Sequence, residues 1–217
     1  SGVGAISFWG EDYLISVGTD PQHTIGLWNW KSRELLCLAG GNETPLLGIA
    51  SYYGEDNAFF VSVGVNHIKY WRACACIGKA PQTGCPCRGE GTLLGKSGIV
   101  GNLGRLQTML CVTILQDASD RDRHLLVFTG THDGSVYVWK DRKLCKNIPC
   151  CANGPIFDLV APNMGQNLLV GGGRDGILRV WEVRSSTNIK AVMKVELASM
   201  APHGSSTNFV ASSIRSV

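Results

Sequence analysis

Charge is scarce in this 217-residue sequence: Asp, Glu, Lys and Arg together make 17%, and 20 basic against 17 acidic residues leave only +3. That excludes a disordered, self-repelling chain. The pI near 8.4 stays under the value of about 9 that marks a nucleic-acid domain by charge alone, so no nucleic-acid partner is expected. Long hydrophobic runs are missing as well: none approaches the roughly 20 residues a membrane helix requires, and no membrane partner is expected. The sequence also has no helical periodicity, no βαβ alternation and no heptads. What it has is glycine, 27 against 8 prolines, within a composition that is 44% apolar, which is a globular chain with many tight turns. The length fits one domain or part of a larger one. With no Met or signal peptide at Ser1-Gly2-Val3 and strand-like residues Phe209-Val210-Ala211 near the other end, the expectation is a segment of a longer chain, Ser1-Gly2 being tag residues. Nine cysteines, an odd count with Cys37 and Cys111 inside apolar segments, favour a reducing compartment and hence the cytoplasm.

Self-similarity organises the chain. Four short segments end in Trp: Ile25-Gly26-Leu27-Trp28, Ile68-Lys69-Tyr70-Trp71, Val136-Tyr137-Val138-Trp139 and Leu178-Arg179-Val180-Trp181. Trp28 and Trp71 are 43 residues apart and Trp139 and Trp181 are 42 apart, within the length of one four-stranded propeller blade. The middle interval of 68 residues is longer, and the excess falls in 73–104, which is rich in Gly, Cys and Lys and lacks strand alternation. In each segment the residues one and three places before the Trp are apolar, while Gly26, Lys69, Tyr137 and Arg179 occupy the other phase, so one face is expected to be the more thoroughly buried. Upstream lie second strands at Tyr13 to Val17, Phe59 to Val63, Leu125 to Thr129 and Leu168 to Gly172, making hairpins, two of them turning at Asp133-Gly134 and Asp175-Gly176. The expected fold is an all-β β-propeller segment with blades at about 3–40, 45–104 (insertion 73–104), 107–150 and 155–192, and a partial one at 193–217.

Thr129, Asp133 and Trp139 have the spacing at which a strand hydroxyl, a turn carboxylate and an indole N–H form a buried hydrogen-bond chain. Ser16 and Asp20 ahead of Trp28, and Ser62 and Asn66 ahead of Trp71, keep the same offset of four. Trp181 has Asp175 but Gly171 in place of the hydroxyl, and no blade offers a clear His to complete the network.

The residues resemble the WD-repeat propellers and, more narrowly, the echinoderm microtubule-associated protein-like family. The matching phrases include Val17-Gly18-Thr19-Asp20 with Trp28-Asn29-Trp30, Gly64-Val65-Asn66-His67-Ile68-Lys69-Tyr70-Trp71, Gln107-Thr108-Met109-Leu110-Cys111, Phe128-Thr129-Gly130-Thr131, Gly154-Pro155-Ile156-Phe157 and Gly171-Gly172-Gly173-Arg174-Asp175-Gly176. They run from about Val3 to about Ala198. The resemblance implies a parent with two tandem propellers, of which this is the middle of the first, binding tubulin or microtubules through the propeller face. The sequence departs from the family in its Cys-rich insertion and in Cys150-Cys151-Ala152, where the family tends to have an Ala-His pair.

Candidate chemistry is thin. Cys74, Cys76, Cys85 and Cys87 form C-x-C-x8-C-x-C, which either surrounds a structural Zn²⁺ or lies reduced in a surface loop; the one-residue gaps are unusual for zinc, so no metal or cofactor is assigned. The run Gly171 to Gly176 lacks the Lys-Ser/Thr and helix of a phosphate loop, and no nucleophile sits beside a base by sequence context. The expectation is therefore a non-catalytic scaffold whose rim turns, carrying His23, His67, His132 and Arg174, bind a protein, while Trp28, Trp71, Thr129, Asp133, Trp139, Asp175 and Trp181 hold the blades together. Tubulin or microtubules in a cytoplasmic, cytoskeletal setting are the first partner, another protein complex or a zinc-stabilised module the alternatives. An open arc of blades leaves two unpaired flanks, through which the chain is expected to join further blades or to self-associate.

Overall fold

The computed structural model describes residues 2–54, 57–74, 92–116, 125–162 and 167–197. Among them are sixteen strands and no α-helix. The first sheet is β1 (Val3–Trp9), β2 (Tyr13–Gly18), β3 (Ile25–Asn29) and β4 (Glu34–Ala39); the second is β5 (Leu46–Tyr53), β6 (Ala58–Gly64), β7 (His67–Ala73) and β8 (Leu93–Ser97). The third is β9 (Met109–Gln116), β10 (Leu125–Thr131), β11 (Ser135–Lys140) and β12 (Lys143–Pro149), and the fourth is β13 (Ile156–Val160), β14 (Leu168–Gly173), β15 (Ile177–Val183) and β16 (Ile189–Glu196). In each, strands pair antiparallel in chain order, the four-stranded meander of a WD-like propeller blade.

The repetition reaches beyond the tryptophans. Every first strand carries a register shift near its start, the extra residue being Gly4, Leu47, Leu110 or Phe157. In three blades the outer strand carries a second shift opposite the Trp, at Leu27/Trp28, Val138/Trp139 and Val180/Trp181. Bulges raise the local twist, so each meander is coiled in the same places.

The chain divides into two compact units, 1–98 and 99–217, each holding two blades. In the first unit the core lies between Ile15, Val17, Ile25 and Leu27 of one blade and Leu46, Phe60, Trp71 and Leu93 of the next. Inner strands touch: the Trp9 indole N–H donates to the Tyr52 carbonyl at 2.8 Å, and the Ser51 hydroxyl donates to the Phe8 carbonyl. In the second unit Leu126, Phe128, Val136 and Val138 pack against Ile156, Leu159, Leu169 and Trp181. Within each unit, the residues one and three places before the first blade's Trp thus share a core with the Trp of the second.

Three expectations are corrected. The fourth strand of the second blade, β8, lies inside 73–104, where no strand alternation was legible; Gly95 breaks the pattern because a Cβ there would sit 2.8 Å from the Trp71 ring. Within that insertion, 75–91 lie outside the described residues. Residues 193–196, expected in a partial fifth blade, are the end of β16 and complete the fourth, their ladder with β15 running to Ile177↔Glu196. The phase expected to be less buried holds Tyr137 and Arg179, both buried, because Tyr137 is covered by residues 105–107 and Arg179 is neutralised in place.

Candidate functional site

The turns joining second to third strands form one rim in each unit, and hydrogen bonds lock them. In the first unit Asp20 accepts from the Thr24 hydroxyl at 2.9 Å and from the backbone N–H of Gln22 and Thr24. The Thr24 hydroxyl holds the Asp20 carboxyl below its ordinary pKa, with slight burial opposing and the backbone donors adding to it. His23 follows in the left-handed region at φ 45°, with Nδ1 3.0 Å from the Asn42 carbonyl. The Asn42 side chain donates to Thr44 Oγ1, whose hydroxyl donates to the Val65 carbonyl at 2.7 Å. A polar belt therefore runs from the rim turn of the first blade to that of the second.

His67 is not on that rim. It is buried, with Nε2 2.9 Å from Ser62 Oγ, which accepts the Trp71 indole N–H at 2.8 Å. Burial, then the nearby Lys69 charge, depresses the imidazole pKa to about 4, so the ring is neutral. The second blade thus has the His that no blade was expected to offer; it sits directly opposite Gly64 in the β6–β7 ladder, close enough for its ring to reach Ser62. A hydroxyl beside an imidazole has the look of a nucleophile and its base, but Ser62 is sealed from solvent and already engaged by an indole.

In the second unit His132 is exposed, fixed by its backbone N–H to the Thr108 carbonyl at 2.9 Å, and Arg174 is exposed, fixed likewise to the Pro155 carbonyl at 2.9 Å. Beside His132 in the same turn, Asp133 accepts from Thr131 Oγ1 at 2.7 Å, from Gln107 Nε2 at 2.8 Å and from the Ser135 N–H. Burial opposes its ionisation, yet these donors outweigh it and keep the carboxyl below its ordinary pKa. Gly134 closes the turn at φ 88°, where a Cβ would lie 1.9 Å from the Cys151 carbonyl oxygen.

The expected chain from hydroxyl to carboxylate to indole is only half present. Trp139 donates to Thr129 Oγ1 at 3.0 Å and Trp28 donates to Ser16 Oγ at 2.8 Å, but Asp133 and Asp20 serve their own turns instead. Asp175 also takes another partner. The Arg179 guanidinium meets it through both oxygens, Nη1 to Oδ1 at 3.1 Å and Nη2 to Oδ2, in a pair whose side chains are nearly sealed from solvent. Where Gly171 leaves Trp181 without a hydroxyl opposite, this ion pair stitches the blade. Gln107, Thr131 and Arg179 were not singled out from sequence; only the offset of four between Asp175 and Arg179 across a Gly turn signals any of them.

Among the described residues no group of three or more His, Cys, Asp or Glu is placed to hold a metal ion. Cys74 is buried beside the Thr92 carbonyl that accepts its N–H at 3.0 Å, while Cys76, Cys85 and Cys87 lie outside the described residues. Burial pushes the thiols of Cys37 and Cys150 up to about 11 and that of Cys111 to about 12, which leaves them protonated and poor nucleophiles. What the rim can do chemically is present imidazole, guanidinium and carboxylate groups to another surface from turns whose backbone is held.

No family model matches the chain. It is 20% identical over 194 residues to cilia- and flagella-associated protein 44 of Mus musculus, an alignment covering 87% of this chain and 9% of that protein. No helix of the described residues is long and apolar enough to cross a membrane.

Proposed function

We propose that the chain is a non-catalytic interaction scaffold whose rim turns bind a cytoskeletal protein, tubulin or microtubules first among them. The observation that carries this reading is the rigidity of the rim: exposed His132 and Arg174, and partly exposed His23, stand on turns locked by bonds within and between blades. Pre-ordered turns bind without a large entropic cost of ordering loops, which is how rigid repeat scaffolds gather many modest contacts. The resemblance to the echinoderm microtubule-associated protein-like family supports the choice of partner, and the mouse relative is named for association with cilia and flagella, a setting in keeping with it. A cytoplasmic, cytoskeletal location belongs to the same proposal.

Co-sedimentation with polymerised tubulin at two salt concentrations tests it. The expected result is pelleting at low salt that weakens at high salt, and weakens again in Arg174→Glu, an exposed position, in a variant that keeps the native circular dichroism spectrum. A chain that stays in the supernatant at low salt refutes the cytoskeletal reading and leaves a scaffold for another protein complex.

A further inference from the structure

Three places in the sequence set an Asp or Asn directly before a Gly: Asp133-Gly134, Asp175-Gly176 and Asn153-Gly154. All three lie in turns of the second unit. A glycine amide nitrogen, unhindered by a Cβ, is able to attack the side-chain carbonyl carbon of the residue before it and close a cyclic imide. A hydrogen bond on that N–H stops it.

The two Asp steps are stopped. The Gly134 N–H donates to the Thr131 carbonyl and the Gly176 N–H to the Gly173 carbonyl, each at 3.2 Å. Both carboxylates are also engaged, Asp133 by Thr131 and Gln107 and Asp175 by Arg179, and an ionised carboxylate is a poor electrophile. Asn153 differs on every count. It is exposed, its amide is uncharged, and neither its side chain nor the Gly154 N–H makes a hydrogen bond among the described residues. Anchors stand on both sides, the Cys150 and Cys151 N–H groups on the Gly134 carbonyl and the Pro155 carbonyl under the Arg174 N–H, so these two residues cross between the blades unpinned. Gly154 takes φ 139°, a conformation that a residue with a Cβ rarely adopts.

We propose that Asn153 is a site of spontaneous deamidation. The Gly154 nitrogen gives its proton to hydroxide and attacks Asn153 Cγ. The new C–N bond closes the imide, and the side-chain nitrogen leaves as ammonia with a proton from water. A second water then opens the ring at either carbonyl, leaving aspartate or, with the backbone running through the side-chain carbon, isoaspartate. Nothing is oxidised or reduced: water enters and ammonia departs. The product bears a carboxylate that is ionised at neutral pH. It arises where a Cβ on Gly154 would sit 2.6 Å from Arg174 Cδ, and where one on Gly134 would sit 2.6 Å from the Gly154 carbonyl oxygen. The turns that carry His132 and Arg174 therefore gain a negative neighbour as the protein ages. This chemistry holds whatever those turns bind.

The test is peptide mapping by mass spectrometry of the 217-residue chain aged in mildly alkaline buffer, both native and in urea. Isoaspartate is read separately, as methyl transfer from S-adenosylmethionine by an added isoaspartyl methyltransferase. In the native chain the peptide holding Asn153 is expected to gain the mass difference between OH and NH2 and to accept methyl groups. Peptides holding Asp133 and Asp175 are expected to accept them at least about tenfold more slowly until urea releases their turns. Asn153→Gln, which has to close a larger ring, is expected to keep its mass. An Asn153 that converts in urea but persists in the native chain overturns the proposal. So does native conversion of any other Asn, or of Asp133 or Asp175, as fast as that of Asn153.

Discussion

A buried indole N–H must have an acceptor, and the repeat answers that demand with a hydroxyl on the neighbouring strand. The price of removing it depends on water. Thr129→Val leaves the sealed Trp139 N–H unpaired and is expected to cost about 1–3 kcal/mol. Ser16→Ala next to partly buried Trp28 is expected to cost less than about 1 kcal/mol, since solvent reaches the indole. Urea midpoints at unchanged m-value read both. His67 adds a pH dependence with a definite sign. Its folded pKa of about 4 lies below the ordinary 6.5, so between those values the unfolded chain binds more protons and stability falls as pH drops from about 6.5 to 4. The loss is up to roughly 3 kcal/mol, and His67→Gln, which removes the titrating group, is expected to flatten that limb of a stability–pH curve. The Asp175–Arg179 pair behaves differently: Asp175→Asn leaves a nearly sealed guanidinium unpaired and is expected to cost about 3–5 kcal/mol, while replacing both residues with apolar ones of similar volume costs far less. Thermal melts of the single and double variants separate the two cases.

Among the elements, hairpins were legible because alternation and turn chemistry act over a few residues: Ile177 to Trp181 alternates, and Asp133-Gly134 and Asp175-Gly176 mark turns. What was hidden depended on partners distant in sequence. β8 escaped notice because Gly95 stands where the Trp71 ring needs room, and Lys69 lies over that ring with Nζ 4.1 Å from its centroid. Tyr137 and Arg179 read as solvent-phase residues until Gln107 and Asp175 supplied their hydrogen bonds. His67 read as a rim residue because a turn position says nothing of which way a ring points. The turn at Gly134 is the sharpest backbone requirement among these elements, and Gly134→Ala, with a Cβ forced onto the Cys151 carbonyl at φ 88°, is expected to destabilise by more than about 1 kcal/mol. Loss of amide protection at Cys150 and Cys151, whose N–H groups both bond the Gly134 carbonyl, is the local readout by hydrogen exchange.

For the molecule as a whole, stability rests on faces shared between consecutive blades, which is why the core splits into one cluster per unit. Truncating a shared residue, Leu27→Ala in the first unit or Leu169→Ala in the second, is expected to cost about 2–5 kcal/mol, whereas Leu38→Ala on an open face costs little, as chemical denaturation would report. The unequal shelter of the six indoles has an optical consequence. Trp9, Trp71, Trp139 and Trp181 are shielded, while Trp28 and Trp30, on the first blade, meet solvent. A collisional quencher such as iodide therefore dims chiefly the first blade, and any surface that comes to rest there will announce itself as emission recovered from quenching, without a label.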